Sequence, residues 1–211
     1  MSVSRAKARS IIENFGIDDP VILRDHLEDL CFELGAAIVF QPMDGAEGRI
    51  LINGDSAIIT INSNEANSGR KRFSIGHELG HFVLHRKEVL EFNCDNSAMN
   101  EWFSTQRSAQ REVEANEFSI ELLIPRKLAA PMVAGEKPEF NLIELLSSTF
   151  STSLFSAAIR YPDLTKEPVA VIFYSKKGGV KTPKRSKLFA EQNYWFHSGP
   201  VDKESLAFDV M

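Results

Sequence analysis

The sequence predicts an α+β fold in which a small antiparallel or mixed sheet packs on one long helix, followed by a small helical and β extension. Three observations carry that reading. Strand-like runs cluster at 36–40, 49–53 and 57–62. A helical stretch over about 68–85 contains GHELGHFVLH. A second helix over about 109–124 stops where Pro125 forbids continuation. At 211 residues the chain is long enough for one good core and a small appended piece. The expected division is a main domain over 1–165 and a β-containing C-terminal extension over 166–211.

Composition narrows the function class. An apolar share of 43% with 25% charged residues is that of a soluble globular protein. The formal net charge of −5 argues against non-specific nucleic-acid binding by the whole chain. Cys31 and Cys94 lie far apart and suit a reducing compartment better than a disulfide framework. The N-terminal MSVSRAKARSIIENF has no long apolar core, and no apolar run approaches the ~18 residues that cross a bilayer. The expectation is a soluble, cytoplasmic protein with no membrane contact.

Taken in order, Arg5 to Phe15 places Ala6, Ile11, Ile12 and Phe15 at helical spacing and stops at Gly16. Pro20 opens a second helix, striped by Val21, Leu23, Leu27, Leu30 and Leu34 and ended by Gly35. AAIVF, RILIN and AIITIN are strands, the last two joined by a hairpin turn at Gly54-Asp55-Ser56. Asn67 or Ser68 caps the motif helix. Residues 86–108 are polar and uneven, a long connection able to cover a site. Beyond Pro125 come two short helical stretches within about 140–161, NLIELLSSTF and TSLFSAAIRY, and a strand at 169–174.

Residues 76–85 hold three of the five histidines, and their spacing is chemical. On a helix, residues four apart differ by about 6 Å of rise and about 40° of rotation, so His77 and His81 can reach one ion at about 2.1 Å. Glu78, rotated about 100° from His77, can touch a water on that ion but is badly placed as a ligand. Two ligands and a general base are what H-E-x-x-H supplies. Gly76 and Gly80 each cost about 1 kcal/mol relative to alanine, and at this spacing they make a smooth stripe where another backbone or a ligand can come close. His85 lies about 12 Å along the axis from His77, too far for the same ion. A pattern that brings in a third histidine would need glycine at Leu84 and histidine at Lys87. His85 is therefore expected to support a ligand by hydrogen bonding, or to cap the helix C-terminus.

The third ligand should come from REVEANEFSIELLIP, which offers four glutamates. Ala115, Phe118, Ser119, Leu122 and Leu123 define its buried face. Glu112 sits about 50° from the centre of that face, Glu114 about 110°, and Glu117 and Glu121 further round in solvent. Glu112 is the expected ligand and Glu114 the alternative. Asn116, one turn after Glu112, is placed to hydrogen-bond a ligand. Zinc is the expected metal, with another divalent ion such as Mn²⁺ as the alternative.

The segments RFSIGHELGHFVLH and EVEANEFSIELLIP together resemble the ImmA/IrrE family of metallopeptidases, over roughly residues 5–165. The resemblance implies a zincin-like, more closely gluzincin-like, domain with two histidines and a glutamate on zinc. It implies a protein substrate as well: a helix-turn-helix transcriptional repressor whose cleavage derepresses genes of a mobile element, a toxin–antitoxin pair or a stress response. Gly76 and Ser119 stand where that family usually has alanine, and residues 86–108 match nothing in it.

Other features are weighed against this reading. The run YSKKGGVKTPKRSK is basic, but a solvated turn around Gly178-Gly179 is preferred to a nucleic-acid contact, and direct nucleic-acid binding is not expected. The two helical stretches of 141–161 have a helix-turn-helix rhythm, yet the second offers Phe, Ala and Ile, which suit a core. Arg160, Tyr161 and His197 are candidate donors to a polarised carbonyl. Cys94 carries little weight as a ligand. A strand of substrate could pair with 57–62. The rival function is a non-cleaving, metal-dependent module that docks a repressor or DNA.

Overall fold

The computed structural model describes residues 2–87, 91–95, 107–174, 183–192 and 194. Most of the expected connection 86–108, the Gly178-Gly179 turn, His197 and the side chain of Cys94 lie outside them.

Helix α1 (Val3–Asn14) is capped by the Ser2 side chain and closed before Gly16 at φ +62°. The single helix expected after Pro20 is two, α2 (Pro20–Asp25) and α3 (Leu27–Glu33). Arg72, reaching from the motif helix, explains the break. Its guanidinium donates to the carbonyls of Leu23 at 2.7 Å and Arg24 at 2.8 Å, taking acceptors that a continuous helix would use itself. Cys31 is fully buried in α3, where burial pushes its thiol up to about 12 and leaves it an apolar packing group.

Strands β1 (Ala36–Gln41), β2 (Ala46–Asn53) and β3 (Ser56–Asn62) join β4 (Glu91–Asp95) in one mixed sheet of order β1-β3-β2-β4. β1 runs parallel to β3, while β2 is antiparallel to both β3 and β4. Two residues, Gly54 and Asp55, turn β2 into β3, with Gly54 at φ +60°. β3 is an interior strand, so the expected substrate pairing along 57–62 is not available: its neighbours on both sides already take its ladder bonds. β4 was not foreseen, because its residues have no strong alternation.

Alternation along β2 and β3 sends Ile50, Ile52, Ile59 and Ile61 inward and leaves Leu51 and Ile58 exposed. Helix α4 (Ser68–His85), capped by Asn67, lies on the inward face. Helix α5 (Arg107–Leu123) covers its other side, so every residue from Phe73 to Phe82 is buried. Pro125 ends α5 and opens a further helix, α6 (Arg126–Val133), which the sequence reading lacked. α7 (Phe140–Thr149) and α8 (Leu154–Leu164) follow, with α8 buried along most of its length as a core helix. Among the described residues no single helix is long and apolar enough to cross a membrane; α7 and α8 approach that only as a pair bent by 112°. The expected strand over 169–174 reduces to β5 (Ala170–Val171), paired with β6 (Lys184–Arg185) before a short α9 (Lys187–Glu191).

Glu121 corrects the helical wheel. It is fully buried and accepts from Arg160 Nη2 at 2.6 Å and from Arg9 Nε at 2.8 Å. Glu117 is ion-paired with Arg5 and accepts from Ser4. A wheel assigns solvent to whatever face lacks apolar residues, but here α1 and α8 cover that face with matched charge. Burial works against the Glu121 carboxylate, and the hydrogen bond from Arg9 with the charge of Arg160 outweighs it, holding the pKa below its ordinary value.

Candidate metal centre

Two small-residue contacts set the distance between α4 and α5. A β-carbon on Gly80 would stand 3.1 Å from the Cα of Ala115, and one on Gly76 would stand 2.6 Å from Ser119 Oγ. The expected smooth stripe is thus used by the backbone of α5. This close approach lets a carboxylate one turn before Ala115 reach the histidines of α4.

Glu112 Oε2 lies 3.1 Å from His77 Nε2, and Glu112 Oε1 lies 3.3 Å from His81 Nε2. The two Nε2 atoms are 3.1 Å apart. Among the described residues, His77, His81 and Glu112 form the group whose ligand atoms all fall within 4.8 Å of one another, a possible His-His-Glu metal site. Three electron-rich atoms this close favour a shared positive charge, either a proton or a metal ion. The titration directions agree. Burial and neighbouring imidazoles lower His81 to about 4, against the pull of Glu112. His77 moves up, because Glu112, Glu78 and Asn116 outweigh its burial. Glu112 is partly buried, which would raise it, yet the two imidazoles hold it well below the carboxylate range.

Around this group, Asn116 Oδ1 is 2.9 Å from His77 Nδ1. Glu78 is fully buried, and its Oε1 would be 2.8 Å from a β-carbon on Gly48. Sequence reasoning missed Gly48, although a glycine inside a strand is a sign that something approaches closely. Glu114, the alternative third donor, lies instead against His85, with Oε2 3.0 Å from Nε2. Arg160, a candidate carbonyl donor, is committed to Glu121 on α5 and to the carbonyl of Ile124 just beyond it. Tyr161 is buried beside it on α8.

A family model described as the IrrE N-terminal-like domain, peptidase M78, matches residues 31–161, more than half of the chain. The chain belongs to this IrrE-like family. The match spans β1 to α8 and so contains the whole His-His-Glu group together with Glu78. No curated protein matches it. Among solved structures, a Mycobacterium tuberculosis transcriptional regulator superposes with a TM-score of 0.56 at 15% identity, over 98% of this chain. At that identity the likeness concerns the fold alone. This IrrE-like chain spans 60% of that regulator's length.

Proposed function

We propose that this chain is a metal-dependent endopeptidase that cleaves a regulatory protein, with a helix-turn-helix transcriptional repressor as substrate. The observation that carries the reading is the convergence of His77, His81 and Glu112 beside a buried Glu78. The donor set suits zinc: two imidazoles and one carboxylate leave room for a water or substrate, as in catalytic rather than structural sites. When bound, the metal supplies a Lewis acid and brings the pKa of a bound water toward about 7.

The chain's own residues do the rest. Glu78 takes a proton from the attacking water and passes it to the leaving amine as the peptide C–N bond breaks. Gly48 leaves the space in which the Glu78 carboxylate sits. Asn116 orients His77 through Nδ1. Substrate adds along β4, which forms the edge of the described sheet on the side of β2, the strand that carries Gly48. Cleaving a repressor would derepress the genes of a mobile element, a toxin–antitoxin pair or a stress response, and would place the protein in the cytoplasm.

The test is incubation with the helix-turn-helix repressor encoded beside its gene, with and without a chelator. Fragments that vanish with chelator support the peptidase. A stable complex without fragments would replace it with the rival, a metal-dependent docking module.

A further inference from the structure

The proposed mechanism employs His77, His81, Glu112 and Glu78 and leaves no task for His85 and Glu114. Yet these two stand in line behind His81. His81 Nδ1 is 3.1 Å from His85 Nδ1, and His85 Nε2 is 3.0 Å from Glu114 Oε2. Gln110 Nε2 donates to Glu114 Oε1 at 2.8 Å and steadies the far end. We propose that Glu114, acting through His85, is a positioning residue that fixes the tautomer and ring angle of His81 for metal binding. The proposal rests on the metal-centre reading above.

The direction of the line follows from donor and acceptor inventory. An ionised carboxylate only accepts, so His85 Nε2 must carry the hydrogen that faces Glu114. A neutral imidazole has one N–H, which makes His85 Nδ1 an acceptor. The hydrogen between the two imidazoles therefore belongs to His81 Nδ1. That leaves His81 Nε2 with a lone pair aimed at the side where His77 Nε2 and Glu112 converge. For a neutral His85, reversing either bond would set two hydrogens or two lone pairs face to face.

His77 reaches the same tautomer by a shorter route, since Asn116 Oδ1 accepts from its Nδ1 at 2.9 Å. The two ligands thus use different devices. Metal-binding histidines commonly hand their second N–H directly to a carboxylate or carbonyl. Here a buried imidazole is interposed: His85 is 4% exposed, whereas the Glu114 side chain is 37% exposed. The arrangement keeps this carboxylate at the rim, where water solvates it, rather than adding another carboxylate to the interior that already holds Glu78. His85 carries its orienting effect inward.

Because Glu114 is partly exposed, Glu114→Ala should fold, and equal unfolding midpoints of the metal-free proteins check this. Two measurements then bear on the proposal. Long-range proton–nitrogen NMR of the metal-free wild type at mildly alkaline pH should show His81 with its hydrogen on Nδ1. Finding it on Nε2 would overturn the relay whether or not the protein is a peptidase. Competition with a chromophoric chelator should show zinc affinity lowered about 10–100-fold in Glu114→Ala with one zinc per chain retained. Glu114→Gln, whose side-chain carbonyl can still accept from His85, should lose less. Unchanged affinity in Glu114→Ala would refute the positioning role, and loss of zinc stoichiometry would make Glu114 a ligand instead. A wild type that binds no zinc would sink the metal-centre reading and leave the tautomer measurement to decide the relay.

Discussion

Gly76 on α4 and Ser119 on α5 fit each other: a β-carbon at Gly76 would stand 2.6 Å from the Ser119 Oγ, which donates to the Phe73 carbonyl at 2.9 Å. The resemblance drawn from the sequence implies alanine at both of these positions. The departures are one packing solution, in which a methyl removed from α4 admits a hydroxyl on α5. Gly76→Ala alone should therefore destabilise by about 1–3 kcal/mol through overpacking, despite the better helix propensity of alanine. Adding Ser119→Ala should recover much of the loss. A denaturant double-mutant cycle reads the coupling, expected at about 0.5–3 kcal/mol, and additive effects would refute the pairing.

Glu112→Ala should lower zinc content sharply, because it removes a carboxylate that meets both Nε2 atoms. In the wild type, zinc at about 100 times its Kd should raise stability by about 2.7 kcal/mol, lost on chelation. Thermal unfolding with and without chelator measures it. A Glu112→Ala protein that keeps full zinc stoichiometry would exclude Glu112 as a ligand.

Glu78→Gln should retain the metal and lose cleavage by about 10²–10⁴-fold, the usual contribution of a positioned base. Gly48→Ala approaches the same group from the sheet. Its methyl takes the place of the Glu78 carboxylate, and a displacement of about 1 Å can cost about 10²-fold. Rates of repressor cleavage at equal zinc occupancy separate both variants from ligand loss. A Gly48→Ala protein with wild-type turnover would show that the carboxylate is not held there.

The buried Glu121 should make stability sensitive to acid. Its pKa is depressed in the fold, so its contribution is complete above the unfolded carboxylate value, about 4.3, and is lost as pH falls through the lower folded value. Glu121→Gln should flatten that acid slope. It should also cost about 3–5 kcal/mol at neutral pH, because buried Arg160 loses the carboxylate 2.6 Å away and is left with the longer 3.6 Å pairing with Asp163. Urea midpoints across the acidic range test both, and an unchanged slope would assign the acid sensitivity to other carboxylates.

How much of this was legible in the sequence depends on how far each signal reaches. His77, Glu78 and His81 belong to one helix, where a regular rise and turn dictate relative direction, so their arrangement could be read from spacing alone. The apolar stripe of α5 likewise ranked Glu112 ahead of its neighbours. Strand runs over 36–62 were visible through their β-branched residues and the Gly54-Asp55 turn.

What spacing could not supply was anything set by a second element. Arg72 splits a helix that periodicity reads as continuous, because the competing donor comes from 48 residues away. Glu121 reads as solvent-facing until α1 and α8 bring arginines to it. The expected edge at β3 became an interior strand once β1 paired with it in parallel. Gly48 falls just outside the strand expected over 49–53, and only the structure lays the Glu78 carboxylate against it. Composition and periodicity report a residue's own element. Which charge, methyl or carbonyl faces it from elsewhere is decided when the helices and sheet close on one another.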